Sequence, residues 1–107
     1  MRRRDLKFAP EAIGDMANAW QLVYEADGEQ RADKVHAVME AFCRSLGEFC
    51  EIGTKHDKRL PSLRSTGIPR LKKGSVLFVV GDERVTVLRV GYLGSDVWSD
   101  IPTPDAP

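Results

Sequence analysis

Seven of the sixteen Lys and Arg residues fall between Gly53 and Ser75, against one acid, Asp57. Within that segment Arg64, Arg70, Lys72 and Lys73 are candidates to contact phosphates or an acidic peptide, and Arg89 joins them from a later apolar run. Tyr92 and Trp98 follow that run, where an aromatic ring stacks on a base, fills a partner pocket or caps the core. Strand alternation puts Arg89 on the face opposite Leu88 and Val90. The basic segment fits two other roles as well, a solvated loop or one turned toward acidic helices.

Other chemistry is thinner. The glycines never space as GxxxxGK or GxGxxG, so no phosphate loop is encoded. His36 and His56 are far apart and neither belongs to a Cys/His cluster, so no metal site and no cofactor are expected. His56, in GTKHDK, has the chemistry of a general base, although a loop His among lysines also fits plain solvation. Cys43 and Cys50 are separated by about 10 Å of helical rise, too far for a disulfide. Two free thiols fit a reducing compartment, and no secretory leader pattern follows the N-terminal arginines, so a cytoplasmic location is expected.

These residues need elements to position them. At 107 residues the chain suits one domain, taken as residues 1–99, followed by a flexible Pro-rich tail over 100–107. No apolar run reaches the roughly 20 residues of a membrane span. Net charge is zero but segregated: residues 1–10 carry +3, 11–52 carry −6, 53–75 carry +6 and 76–107 carry −3. Arg4–Ala9 alternates as a short strand, with Leu6 and Phe8 on its buried side. Pro10 opens a helix whose apolar stripe is Ile13, Met16, Ala17, Trp20, Val23 and Tyr24, ending at Asp27–Gly28. A second helix runs from Glu29 to Phe49, with Val35, Val38, Met39, Phe42, Leu46 and Phe49 on its apolar face. Gly53–Pro61 is a loop. Ser62–Ile68 is a strand that Pro69 makes an edge or breaks. Ser75–Val80 and Val85–Val90 form a hairpin across Gly81–Arg84. The architecture expected is a two-layer α+β domain: an N-terminal strand, then a helical hairpin packed on an antiparallel sheet. Ile13, Met16, Trp20, Val35, Phe42 and Leu46 would bury Leu77, Val79, Val85 and Val87, leaving the other sheet face open for Arg64, Arg70 and Arg89.

DLKFAPEA, the helical hairpin, IGTKHDKRLPSLRS and VTVLRVGYLGSDVWS together resemble the RelE/ParE superfamily of type II toxin–antitoxin toxins, over nearly all of residues 5–99. The resemblance is strongest to the ParE branch. It implies a helical hairpin on an antiparallel sheet with the first strand beside the last. It also implies a cognate antitoxin, a toxin–antitoxin hetero-oligomer, no membrane, and DNA gyrase as target. RelE-like relatives instead cleave mRNA on the ribosome. The ParE branch often has His after the last strand, where this chain has Tyr92. The ribonuclease relatives have a basic residue just past that strand, where this chain has Leu93 and Gly94, and a Tyr at a position resembling Trp98. If this were a ribonuclease, Lys72, Lys73, Arg89 and Tyr92 would have to supply its chemistry. Cleavage through a 2′-hydroxyl needs a base, an acid and a cation, and an indole N–H does not titrate near neutral pH. The chain is therefore expected to bind gyrase rather than cut RNA. The alternatives are a ribosome-dependent endoribonuclease and a non-toxic interaction domain of the same fold.

Overall fold

The computed structural model describes residues 3–102; the tail's residues 103–107 lie outside that range. Strand β1 (Asp5–Phe8) leads into α1 (Pro10–Asp27) and α2 (Glu29–Ser45). Then come β2 (Thr54–Lys55), β3 (Leu63–Gly67), β4 (Ser75–Val80) and β5 (Arg84–Gly91). The sheet order is β1-β5-β4-β3-β2, with β1 parallel to β5 and the other neighbours antiparallel. This is the α+β arrangement the pattern predicts, with β2 as an added strand. Because β2 pairs with β3, the strand before Pro69 is not the sheet's edge, and it ends at Gly67 ahead of the proline.

Pro10 sits in the first turn of α1, where its missing N–H costs nothing, and Glu11 faces the positive end of the dipole. Gly28 closes α1 and opens α2 at φ 90 and ψ 177, a backbone region open essentially to glycine alone. One residue thereby turns the chain back on itself. Helix α2 stops four residues short of Phe49 because Gly47 leaves it to serve β1: Arg4 N–H donates to the Gly47 carbonyl at 2.7 Å. A Cβ at Gly47 would sit 2.7 Å from the Arg4 oxygen, so only glycine allows this approach.

Helix α2 buries the expected face, whereas α1 is turned away from part of its expected stripe. Ala12, Met16, Ala19 and Val23 are buried on α1, and Ala32, Val35, Met39 and Cys43 on α2. Ile13 and Tyr24 are instead about half exposed, as is Phe49, while Trp20 and Phe42 are partly buried. Large side chains dominate the hydropathy pattern, but alanines let α1 approach the sheet closely, and the packing follows them. Trp20 stays at the boundary, donating its indole N–H to Asp33 at 2.8 Å and stacking on Tyr24.

The sheet is apolar on both faces. Val76, Phe78, Val85, Val87 and Val90 meet the helices. Leu63, Leu77 and Leu88 belong to a second cluster with Ala9 and Val97, flanked by Leu60, Val79, Trp98 and Ile101. Leu77 and Val79 therefore face away from the helices, and the second face is not open: chain segments around Leu60 and Val97–Ile101 cover it. A register shift explains why alternation fails past Val87. Leu77 pairs with Arg89 but Phe78 with Val87, so Leu88 is the extra residue of a bulge. Leu88 and Val90 end on opposite faces. Burial pushes the Cys43 thiol up to about 12, which keeps it protonated and inert.

Candidate functional site

The β3–β4 connection, Ile68–Gly74, is a compact turn closed by Ile68 N–H to Gly74 O and Gly74 N–H to Leu71 O. Arg70 and Lys73 both take left-handed backbone within it, at φ 73 and φ 51. After β5 the chain makes a second tight turn, with Leu93 at φ 54 and Gly94 at φ 80. The two turns bond to one another: Leu93 N–H donates to Lys72 O and Gly94 N–H to Lys73 O, each at 3.3 Å. Arg70, Lys72 and Lys73 are thus brought beside Tyr92 and Leu93 at one end of the sheet. The three cations are exposed, as is Leu93, whereas Tyr92 is half-buried against the main core.

Arg89 does not join them. Its guanidinium forks onto Asp15 of α1, Nε to Oδ2 at 2.7 Å and Nη2 to Oδ1 at 2.9 Å, while Nη1 donates to Ser99 O at 2.7 Å. The hydrogen bond to Asp15 holds the guanidinium pKa above its ordinary value. Asp15 also accepts Val90 N–H at 2.9 Å. β1 pairs with β5 only as far as Val87, so this carboxylate caps β5 where that partner has ended. With every nitrogen engaged, Arg89 ties α1, β5 and the C-terminal segment together and is not a free phosphate ligand. Arg64 pairs in register with Phe78 and donates to Ile52 O at 3.2 Å, away from the basic turn.

Trp98 belongs to another cluster, on the sheet's second face. The His56 ring meets it edge-on at 4.7 Å, and the Arg59 guanidinium lies 5.0 Å from its ring centroid. Arg59 also donates to Trp98 O at 2.8 Å. His56 Nε2 lies 2.7 Å from Ser65 Oγ. Thr54, Ser65, Thr66, Ser75 and Trp98 line an adjoining groove of about 350 Å³. The β2–β3 register makes this cluster: Thr54 opposes Ser65, and His56 N–H bonds Leu63 O, which places His56 beside Ser65. The sequence marks His56 as a loop histidine, either a general base or simply solvated. The one available signal was its distance from the LRS segment, a hairpin's length away. Asp57 is turned to Ser62 N–H, so it does not complete a triad with His56. Among the described residues no group of three or more His, Cys, Asp or Glu is placed to hold a metal ion. No helix among them is long and apolar enough to cross a membrane.

The expected site residues therefore divide. Arg70, Lys72, Lys73 and Tyr92 come together; Trp98 stands with His56; Arg64 and Arg89 are used elsewhere.

No family model and no curated protein matches the chain. Among solved structures it is similar to a chain of "Chromosomal ParDE TA system from P. aeruginosa", with a TM-score of 0.72 and 19% identity over 84% of this chain and 96% of that one. The likeness shows the fold, built here from an N-terminal strand, two helices and a mixed sheet.

Proposed function

We propose that this chain is the toxin of a type II toxin–antitoxin module, acting in the cytoplasm by binding and inhibiting DNA gyrase and neutralised by a cognate antitoxin. The observation that carries the reading is the shared fold, which spans nearly all of the similar chain. The basic turn supports binding over catalysis: it presents exposed cations and one packed tyrosine. A groove of about 260 Å³ between α1 and the end of β5, lined by Asn18, Leu22, Tyr92 and Asp96, suits an amphipathic antitoxin peptide.

A second reading, ribosome-dependent mRNA cleavage, draws support from His56. Its imidazole, already a candidate general base in the sequence, lies beside Ser65 and Trp98, where it could act as one. Induced expression separates the two. Growth is expected to stop, to resume when the small reading frame adjoining the toxin's own is co-expressed, and to stop equally with His56→Ala. Primer extension on cellular mRNA should show no new ends. New ends that vanish in His56→Ala would promote the second reading, and no growth defect at all would remove both.

A further inference from the structure

Arg70, Lys72 and Lys73 have nothing to hold, whereas about half of the chain's described cations are engaged. Arg3 meets Glu48, Arg44 meets Glu40 and Arg89 meets Asp15. Arg4, Arg59 and Arg64 donate to backbone carbonyls. No hydrogen bond or ion pair engages the side chains of the three turn residues among the described residues. They also stand on braced backbone. Left-handed φ at Arg70, Lys73 and Leu93 is strained for a residue with a Cβ, and persists only where surrounding structure enforces it. Here the bonds between the two turns enforce it. The result is a rigid tip carrying three unpaired positive charges and an apolar side chain, Leu93, 47% exposed.

The rest of the molecule turns this tip toward a polyanion. Residues 10–52, which contain both helices, carry nine acids and three bases, so the helical layer is repelled by the same partner that the tip attracts. The tip has no platform for an unstacked base. Tyr92 packs against the main core, and Trp98 is held with His56 and Arg59 on the second sheet face. Such a surface reads phosphate and sugar, not base edges or ring faces.

We propose that Arg70, Lys72, Lys73 and Leu93 form a contact for the phosphate backbone of duplex DNA, independent of sequence. The proposal deepens the reading of the chain as a gyrase inhibitor, since gyrase holds duplex DNA, but the contact itself requires no gyrase. The test is fluorescence anisotropy of a labelled duplex of about 20 base pairs with purified toxin alone. Three phosphate contacts give a slope of log affinity against log salt near −2.7, from about −0.9 per phosphate, or about 40-fold weaker binding at 200 mM than at 50 mM salt. Lys72→Glu/Lys73→Glu should abolish binding. Arg31→Glu/Lys34→Glu, an equal change of net charge on exposed positions of α2, should leave the slope unaltered. Thermal melts of both variants establish that each is folded. A slope shallower than about −1, equal losses in the two variants, or uptake by anionic phosphatidylglycerol vesicles without any duplex binding would overturn the contact. Gyrase inhibition without duplex binding sinks the contact and leaves the toxin reading standing; duplex binding without gyrase inhibition does the reverse.

Discussion

Phe78→Ala is expected to lower the free energy of unfolding by about 3–5 kcal/mol, the range for removing a buried aromatic ring from a packed core. Phe78 is fully buried on β4, in the cluster that joins Val76 and Val87 of the sheet to the buried side chains of the helices. The sheet beneath it is fixed on both sides by β3 and β5, so the cavity cannot close by moving one strand. Urea denaturation monitored by circular dichroism measures the loss. Phe42→Ala should cost less, because Phe42 is only partly buried at the margin of the same cluster. If Phe42→Ala proved the more damaging of the two, the assignment of the helix faces would be wrong.

The second large effect is expected at Asp15. Asp15→Ala should cost about 2–4 kcal/mol, because it leaves the Arg89 guanidinium partly buried without its carboxylate and uncaps Val90 N–H. Both side chains are shielded from water, at 14% and 16% exposure, so the pair is not the weak surface kind. Asp15→Asn keeps an acceptor and should cost distinctly less. The damage should also be directional. Arg89 reaches Ser99 as well, so hydrogen exchange at Val97–Ser99 should accelerate in Asp15→Ala even though α1 lies on the other side of the sheet. A loss below about 1 kcal/mol, with exchange there unchanged, would mean that Arg89 is not the tie between helix, strand and C-terminal segment.

The elements were legible in the sequence because each carries its own local signal. Pro10, the Asp27–Gly28 break, the apolar runs of β4 and β5 and the strand before Pro69 all mark boundaries that the structure keeps within a few residues. Facing was legible only in part: Met16, Val23, Val35, Met39, Val85 and Val87 are buried as the pattern predicts, and two physical causes account for the misses. On the helices, close approach selected alanines over the larger Ile13 and Tyr24, which hydropathy alone prefers. In the sheet, the bulge at Leu88 inverted the alternation for Arg89 and Val90, a change that no count of residue types reveals. The C-terminal segment escaped for a related reason: Val97, Trp98 and Ile101 cover the second face as isolated side chains on irregular backbone, with no period to detect.

The candidate site shows the same division. Lys72, Lys73 and Tyr92 are close in sequence to strand ends that meet, so simple topology brings them together. Arg89 looked free only because its acceptor, Asp15, lies 74 positions away on a helix read as facing elsewhere. His56 looked solvated because its partner Ser65 is reached only through the β2–β3 register, and β2 is two residues long.

The proposed inhibition of gyrase by binding is tested by a supercoiling assay. The purified protein is titrated into gyrase with relaxed plasmid and ATP, beside a cell-free translation reaction read by primer extension. The account predicts loss of supercoiling at toxin concentrations comparable to the enzyme, restored by the antitoxin, while the translated mRNA stays intact. Undiminished supercoiling together with site-specific mRNA cuts would contradict it.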